Sequence, residues 1–159
     1  MDECEQRKLV VAEALSWASP PTPYHHHARI KGVGVDCAQL LCAVYEAAAA
    51  VPPVDPGFYA TDWHLHRSEE MFLAWLAKVG AWRTGAPQMG DVAVFRYGRT
   101  FSHGAVMVEP TLALHAYKGA GVILTRLHEA PLAGRDAQFW TLFRPQDAEG
   151  PLRGQEPTP

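Results

Sequence analysis

The stretch 31-KGVGVDCAQLLCAVYEAA-48 decides how this chain reads. Gly32 and Gly34 alternate in a loop, where glycine permits positive φ or the close approach of another backbone. From about Asp36 to Ala49 the pattern turns helical. Leu40, Leu41, Val44 and several alanines make that helix apolar almost all round, so it is expected to be the buried central helix. Cys37 falls on its first turn and Cys42 falls inside it. A thiol at a helix N-terminus meets unpaired N–H groups and the positive end of the dipole, and both favour thiolate. The same amides can donate to a developing oxyanion, the Cys37 N–H first among them. Cys42 gains neither benefit. The plain alternative is that Cys37 is a small buried core residue, as free cysteines commonly are.

Upstream, residues 5–17 read as a helix with Val10, Val11, Ala14, Leu15 and Trp17 on one stripe, and Cys4 falls in a frayed terminus. The prolines of 19-SPPTP-23 stop the helix, and 24-YHHHARIKGVGV-35 is a loop. Downstream, 51-VPPVDPG-57 is another loop. A further helix starts near Ser68, which can cap it, with Phe72, Trp75, Leu76 and Val79 at i, i+3, i+4 and i+7 and Gly80 as a stop. The period then changes to two. Residues 91–98, 103–109, 112–119 and 121–127 read as short strands, with a last one at 139–145. Helices followed by a meander of strands predict an α+β fold. Residues 1–145 are expected to form one domain and 146–159, rich in Pro, Gly and charge, a loose tail.

The bulk numbers exclude several classes. The chain has 159 residues, a formal net charge of −3, 48% hydrophobic and 19% charged residues. No Lys- and Arg-rich face suggests a nucleic-acid binder, and no apolar run is long enough to span a membrane. The N-terminus, MDECEQRKLVV, lacks the basic-then-apolar order of a signal peptide, which predicts synthesis and folding in a bacterial cytoplasm. Three cysteines without a CxxC pair argue against a disulfide framework or a structural zinc site.

A nucleophilic thiol needs a base, and the base needs an orienting group. His103 opens the strand in 99-RTFSHGAVMVE-109, and His115 sits in the next, 112-LALHAYKG-119. They can meet only if they share a face. A two-residue turn at Pro110-Thr111 would pair Glu109 with Leu112 and set the two histidines on opposite faces. A three-residue loop, or a bulge, would put them on the same one.

The set "DCAQL" at a helix start, then "SHGAVMV", then "LHA" in the following strand resembles the NlpC-type cell-wall peptidases, compact papain-like cysteine hydrolases. "TPYHHHARIKGVGVDC" and "DWHLHRSEEMFLAWL" look like the branch carried by phage tails and gene transfer agents, and the resemblance spans roughly residues 8–145. It implies an NlpC-type fold with the nucleophile at a central helix N-terminus packed on an antiparallel sheet. It further implies Cys37 as nucleophile, His103 as general base and then acid, and His115 as the group that holds the His103 tautomer. Tyr24 would help position substrate or oxyanion, and Asp36 would face a substrate amine. The implied substrate is a peptidoglycan muropeptide, cut by an endopeptidase without cofactor or metal. The implied partner is a tail hub or baseplate protein, with action in the recipient cell wall or periplasm. Ala38 and Gln39 stand where many members have Ser then Gly, so one hydroxyl that could touch substrate is missing. Two other readings use the same fold: an amidase or acyltransferase, and a mainly structural tail subunit.

Other features read more plainly. In an extended loop, only alternate members of His25, His26 and His27 point the same way, which suits a polar cleft rim better than a metal site. His64 and His66 belong to a loop packing Trp63 and Leu65, and His128 to the surface.

Overall fold

A computed structural model describes residues 1–66 and 68–143. Asp2 starts the first helix, α1 (Glu3–Ser16), through a capping box. Its side chain accepts from the Glu5 N–H and the Glu5 side chain answers its backbone N–H. Cys4 therefore lies, exposed, inside a capped helix rather than in a frayed end. Val10 and Ala14 are buried as the stripe predicts, with Trp17 just beyond the helix, while Leu15 faces solvent.

Two short strands, β1 (Arg29–Ile30) and β2 (Gly34–Val35), form a small antiparallel pair leading into the central helix, α2 (Cys37–Ala47). A single turn, α3 (Trp63–His66), and the helix α4 (Met71–Lys78) follow. The helix expected from Ser68 starts three residues later. Glu70 is its N-cap and makes no side-chain capping bond, so a cap-type residue alone did not set the boundary. Phe72 and Leu76 are buried on its inner face.

The strands are β3 (Trp82–Thr84), β4 (Val92–Tyr97), β5 (Thr100–Glu109), β6 (Leu112–Tyr117), β7 (Gly121–Arg126) and β8 (Ala137–Thr141). They make one antiparallel sheet in the order β3-β8-β4-β5-β6-β7. β3 was not foreseen; three residues pairing only with β8 at the sheet edge carry too short a pattern to read. The expected tail at 146–159 and the end of the 139–145 strand lie outside the described residues, as do the side chains of His64 and His66.

α1, α2 and α4 pack on β5, with α2 also on β6. The larger core lies between them, with Leu40, Val44, Phe72, Val92, Val94, Val106, Leu114 and Val122 all buried. The alternate residues Ala93, Phe95, Ala105, Met107 and Ala113 point to the other face, where Leu132 closes a smaller core. The fold is α+β, with the helices gathered on the sheet and the first turn of α2 held over β5.

Candidate active site

Asp36 places the first turn of α2. Its backbone is extended, and Oδ1 accepts from the Gln39 N–H at 2.9 Å. Oδ2 accepts from the His27 N–H and from the Tyr59 hydroxyl, each at 2.7 Å. One carboxylate thus binds three segments: the helix start, the histidine loop and the loop before α3. Asp36 was expected to face a substrate amine. The structure places it in the cleft wall, yet only 1% exposed, with both oxygens spent on internal donors. What it projects into the cleft is charge. Gln39 accepts from Arg29 Nε at 2.7 Å and braces α2 against β1.

Tyr24 reaches the site through a bridge to Val35, two residues before Cys37. Burial, then the negative forms of Cys37 and Asp36, push its phenol above the ordinary tyrosine range. His26 and His27 both point Nε2 at the Tyr59 carbonyl, each at 3.0 Å, and the His27 ring stacks on the Tyr59 ring. These histidines pin the loop that forms one wall of the cleft. His25 is exposed.

Cys37 is half-buried over the β5 backbone. Its Sγ–H donates to the Ser102 carbonyl at 3.9 Å, and the N–H groups of Gly104, Ala38 and Cys37 support a negative sulfur. Those amides do not win. Burial first, then the neighbouring Asp36 carboxylate, push the thiol up to about 12. The helix-start amides do favour the thiolate, as expected, but burial and Asp36 act against them and favour the neutral thiol. Cys42 faces a separate apolar cavity of about 60 Å³ among Leu41, Tyr45, Val51 and Trp75, and burial raises it to about 11.

His103 and His115 come together. Met107 pairs with Ala113 and Glu109 with Leu112, so Val108 is an extra residue in β5. The turn is the two-residue one, and the bulge restores the shared face. Continuing the ladder from Val106↔Leu114 sets Ala105 opposite His115, so His103 is its diagonal neighbour. His103 Nε2 lies 2.7 Å from His115 Nδ1, and His115 Nε2 lies 2.8 Å from Thr125 Oγ1. Burial holds both imidazoles neutral. It lowers His115 to about 4, and it lowers His103 well below the ordinary range with help from His115 and Arg135.

Cys37, His103, Tyr24 and Asp36 line one cleft of about 460 Å³, together with Tyr59, Trp63, Phe72, Trp75, Tyr97, Tyr117 and Lys118. His115 is fully buried behind His103. Sequence reasoning missed Tyr59 and Thr125. Tyr59 carries no local signal in its loop, and Thr125 is an ordinary strand residue until the β6–β7 register sets it two positions from Ile123, the partner of His115.

No family model and no curated protein matches this sequence. Among solved structures, the chain is similar to the NlpC/p60 domain of the peptidoglycan hydrolase SagA. The TM-score is 0.53 at 18% identity, over 83% of this chain and 96% of that one. It is also similar to a lipoprotein-like member of the NLP/P60 family from Staphylococcus aureus, with a TM-score of 0.56 at 20% identity, over 87% of this chain. That match spans only 42% of the Staphylococcus protein. At these identities the likeness is one of architecture: helices packed on an antiparallel sheet, as in those NlpC/p60 domains.

Proposed function

We propose that this chain is a cysteine hydrolase of peptidoglycan stem peptides. The observation that carries the proposal is the meeting, in one cleft, of a helix-start thiol and a strand histidine whose far nitrogen is held by a second histidine. The fold shared with a peptidoglycan hydrolase domain supports the substrate class.

The chemistry follows from the resting state. A neutral Cys37 gives its proton to neutral His103 at Nδ1 as Sγ attacks the scissile carbonyl. The Cys37 N–H donates to the oxyanion. His103 then protonates the leaving amine, which departs and leaves a thioester on Cys37. Water, deprotonated by His103, attacks the thioester; the acid leaves and Sγ recovers its proton. His115 holds His103 throughout. Tyr24 positions the substrate, and the negative charge of Asp36 suits a substrate amine at that end of the cleft.

Carriage on a phage or gene-transfer-agent tail, docked on a hub or baseplate protein after synthesis in the cytoplasm and delivered to a recipient wall, rests on the sequence resemblance. Residues 1–145 would act as one peptidase domain. Incubation with purified peptidoglycan and mass analysis of the fragments tests the enzymatic proposal. Stem-peptide cleavage by the wild type that is lost in Cys37→Ala supports it. Intact peptides, or cleavage that survives Cys37→Ala, overturns it. Particles carrying Cys37→Ala test the tail role: recipient entry at the wild-type level would make the activity dispensable there.

A further inference from the structure

We infer that Thr125 is a positioning residue whose hydroxyl oxygen accepts from His115 and so supports the tautomers that leave His103 Nδ1 free to act as base. The inference rests on the proposed role of His103 as base. His103, His115 and Thr125 form a diagonal staircase across β5, β6 and β7, with steps of 2.7 and 2.8 Å. All three are buried, at 8%, 0% and 4% exposure. Each step holds one hydrogen, so the direction of one bond sets the direction of the other.

Two directions exist. In the first, His115 Nε2–H donates to Thr125 Oγ1. His115 Nδ1 is then bare and accepts from His103 Nε2–H, which leaves His103 Nδ1 with a lone pair to receive the Cys37 proton. In the second, the Thr125 hydroxyl donates to His115 Nε2. His115 then carries its hydrogen on Nδ1 and donates it to His103 Nε2, which puts the His103 hydrogen on Nδ1, where it cannot take a proton from sulfur. The reaction allows only the first. When His103 becomes imidazolium it carries hydrogens on both nitrogens, so Nε2–H must find an acceptor in His115 Nδ1. His115 Nε2–H must in turn find one in Thr125. A hydroxyl oxygen at that point lets the buried pair carry a transient charge without leaving an N–H unsatisfied. The other groups facing the pair are Tyr97 from β4, Tyr117 from β6 and, more distantly, Arg135 after β7, while Cys37 from α2 lines the same cleft as His103. Among these, only the thiol exchanges a proton in the proposed cycle.

The test compares wild type, Thr125→Val and Thr125→Ser. Valine keeps the shape and removes the oxygen; serine restores it. Nitrogen-15 histidine spectra report which ring nitrogen carries hydrogen, and stem-peptide hydrolysis reports kcat and KM. The expected result is Nε2–H on both histidines in wild type and Thr125→Ser. Thr125→Val should lose that form on His115 and lose about 10- to 100-fold in kcat at little change in KM. Wild-type kcat in a folded Thr125→Val, or Nδ1–H on His115 in the wild type, overturns the assignment. The two proposals fail separately: an inactive wild type with Nε2–H on both histidines, lost in Thr125→Val, sinks the hydrolase reading and leaves the tautomer assignment standing.

Discussion

His103 Nε2 lies 2.7 Å from His115 Nδ1, with the rings at 83° to each other and both below ordinary accessibility. Two imidazoles this close share one hydrogen, and a charge on either disfavours a charge on the other. Burial acts in the same direction. The resting site is therefore electrically quiet, a neutral thiol beside neutral rings, although a helix N-terminus points at the sulfur. Desolvation and the Asp36 carboxylate outweigh the amides.

The first prediction concerns that quiet thiol. Alkylation of Cys37 by iodoacetamide, followed by peptide mass analysis, should be slow at pH 7 and rise steadily beyond pH 9, because burial and Asp36 hold the thiol protonated at up to about 12. Asp36→Asn removes the carboxylate and should bring the rise to lower pH. A rate that is already on a plateau near pH 6 would reveal a preformed thiolate–imidazolium pair and refute this account.

The second concerns stability against pH. His115 is lowered from 6.5 to about 4. Between those values the unfolded chain binds more protons than the folded one. Stability from this group is therefore complete above pH 6.5 and is lost as pH falls towards 4. The loss is about 3 kcal/mol at 1.36 kcal/mol per unit, and His103, shifted the same way, adds to it. Urea denaturation at pH 7.5 and 4.5 should show a smaller loss in His115→Gln than in wild type. Equal losses in the two proteins would mean that His115 is not buried neutral.

Much of this site was legible in the residues because it depends on local rules. A cysteine at a helix start and histidines in alternating strands are set by period and position, and the parity condition at 109–112 was a counting argument that the Val108 bulge answers. The illegible parts depend on contacts distant in sequence. The internal bonds of Asp36 are one such part, because nothing near it shows that Tyr59, 23 residues on, donates to its carboxylate. The start of α4 was misplaced because Ser68 has the right chemistry for a cap, while packing of Phe72 and Leu76 set the boundary. Thr125 needed the β6–β7 register, which the pattern of GVILTRL alone leaves open.

The third prediction tests the close approach that seats α2 and α4 on β5. A Cβ at Gly104 would lie 2.6 Å from Leu41 Cδ1 and 2.7 Å from Phe72 Cε1. Gly104→Ala must therefore push aside side chains from both helices, at a cost of about 1–3 kcal/mol. Leu41 is on the same helix as Cys37, and the Gly104 N–H supports the sulfur, so hydrolysis should fall along with stability. Denaturation and kinetics of the variant check both effects. Unchanged stability would show that the two side-chain tips yield freely.

The fourth prediction concerns the tie between α1 and the sheet. Arg7 Nη1 donates to Asp91 Oδ1 and to the Met89 carbonyl, each at 2.8 Å, while Nε meets Glu3 and Nη2 meets Thr141. The Arg7 and Asp91 side chains are 9% and 2% exposed. A buried pair of this kind adds little over a well-packed apolar pair, but breaking it strands a charge. Among the described residues, Arg7→Met leaves the Asp91 carboxylate with only the Gln88 N–H and should destabilise by about 3–5 kcal/mol. Adding Asp91→Asn removes the stranded charge while an oxygen can still accept from Gln88, so the double variant should recover part of the loss. Urea midpoints of the two single variants and the double measure the coupling. If the double variant is as unstable as the sum of the singles, the pair is uncoupled and Arg7 serves through its packing on Phe143, whose ring centre lies 4.3 Å from the guanidinium.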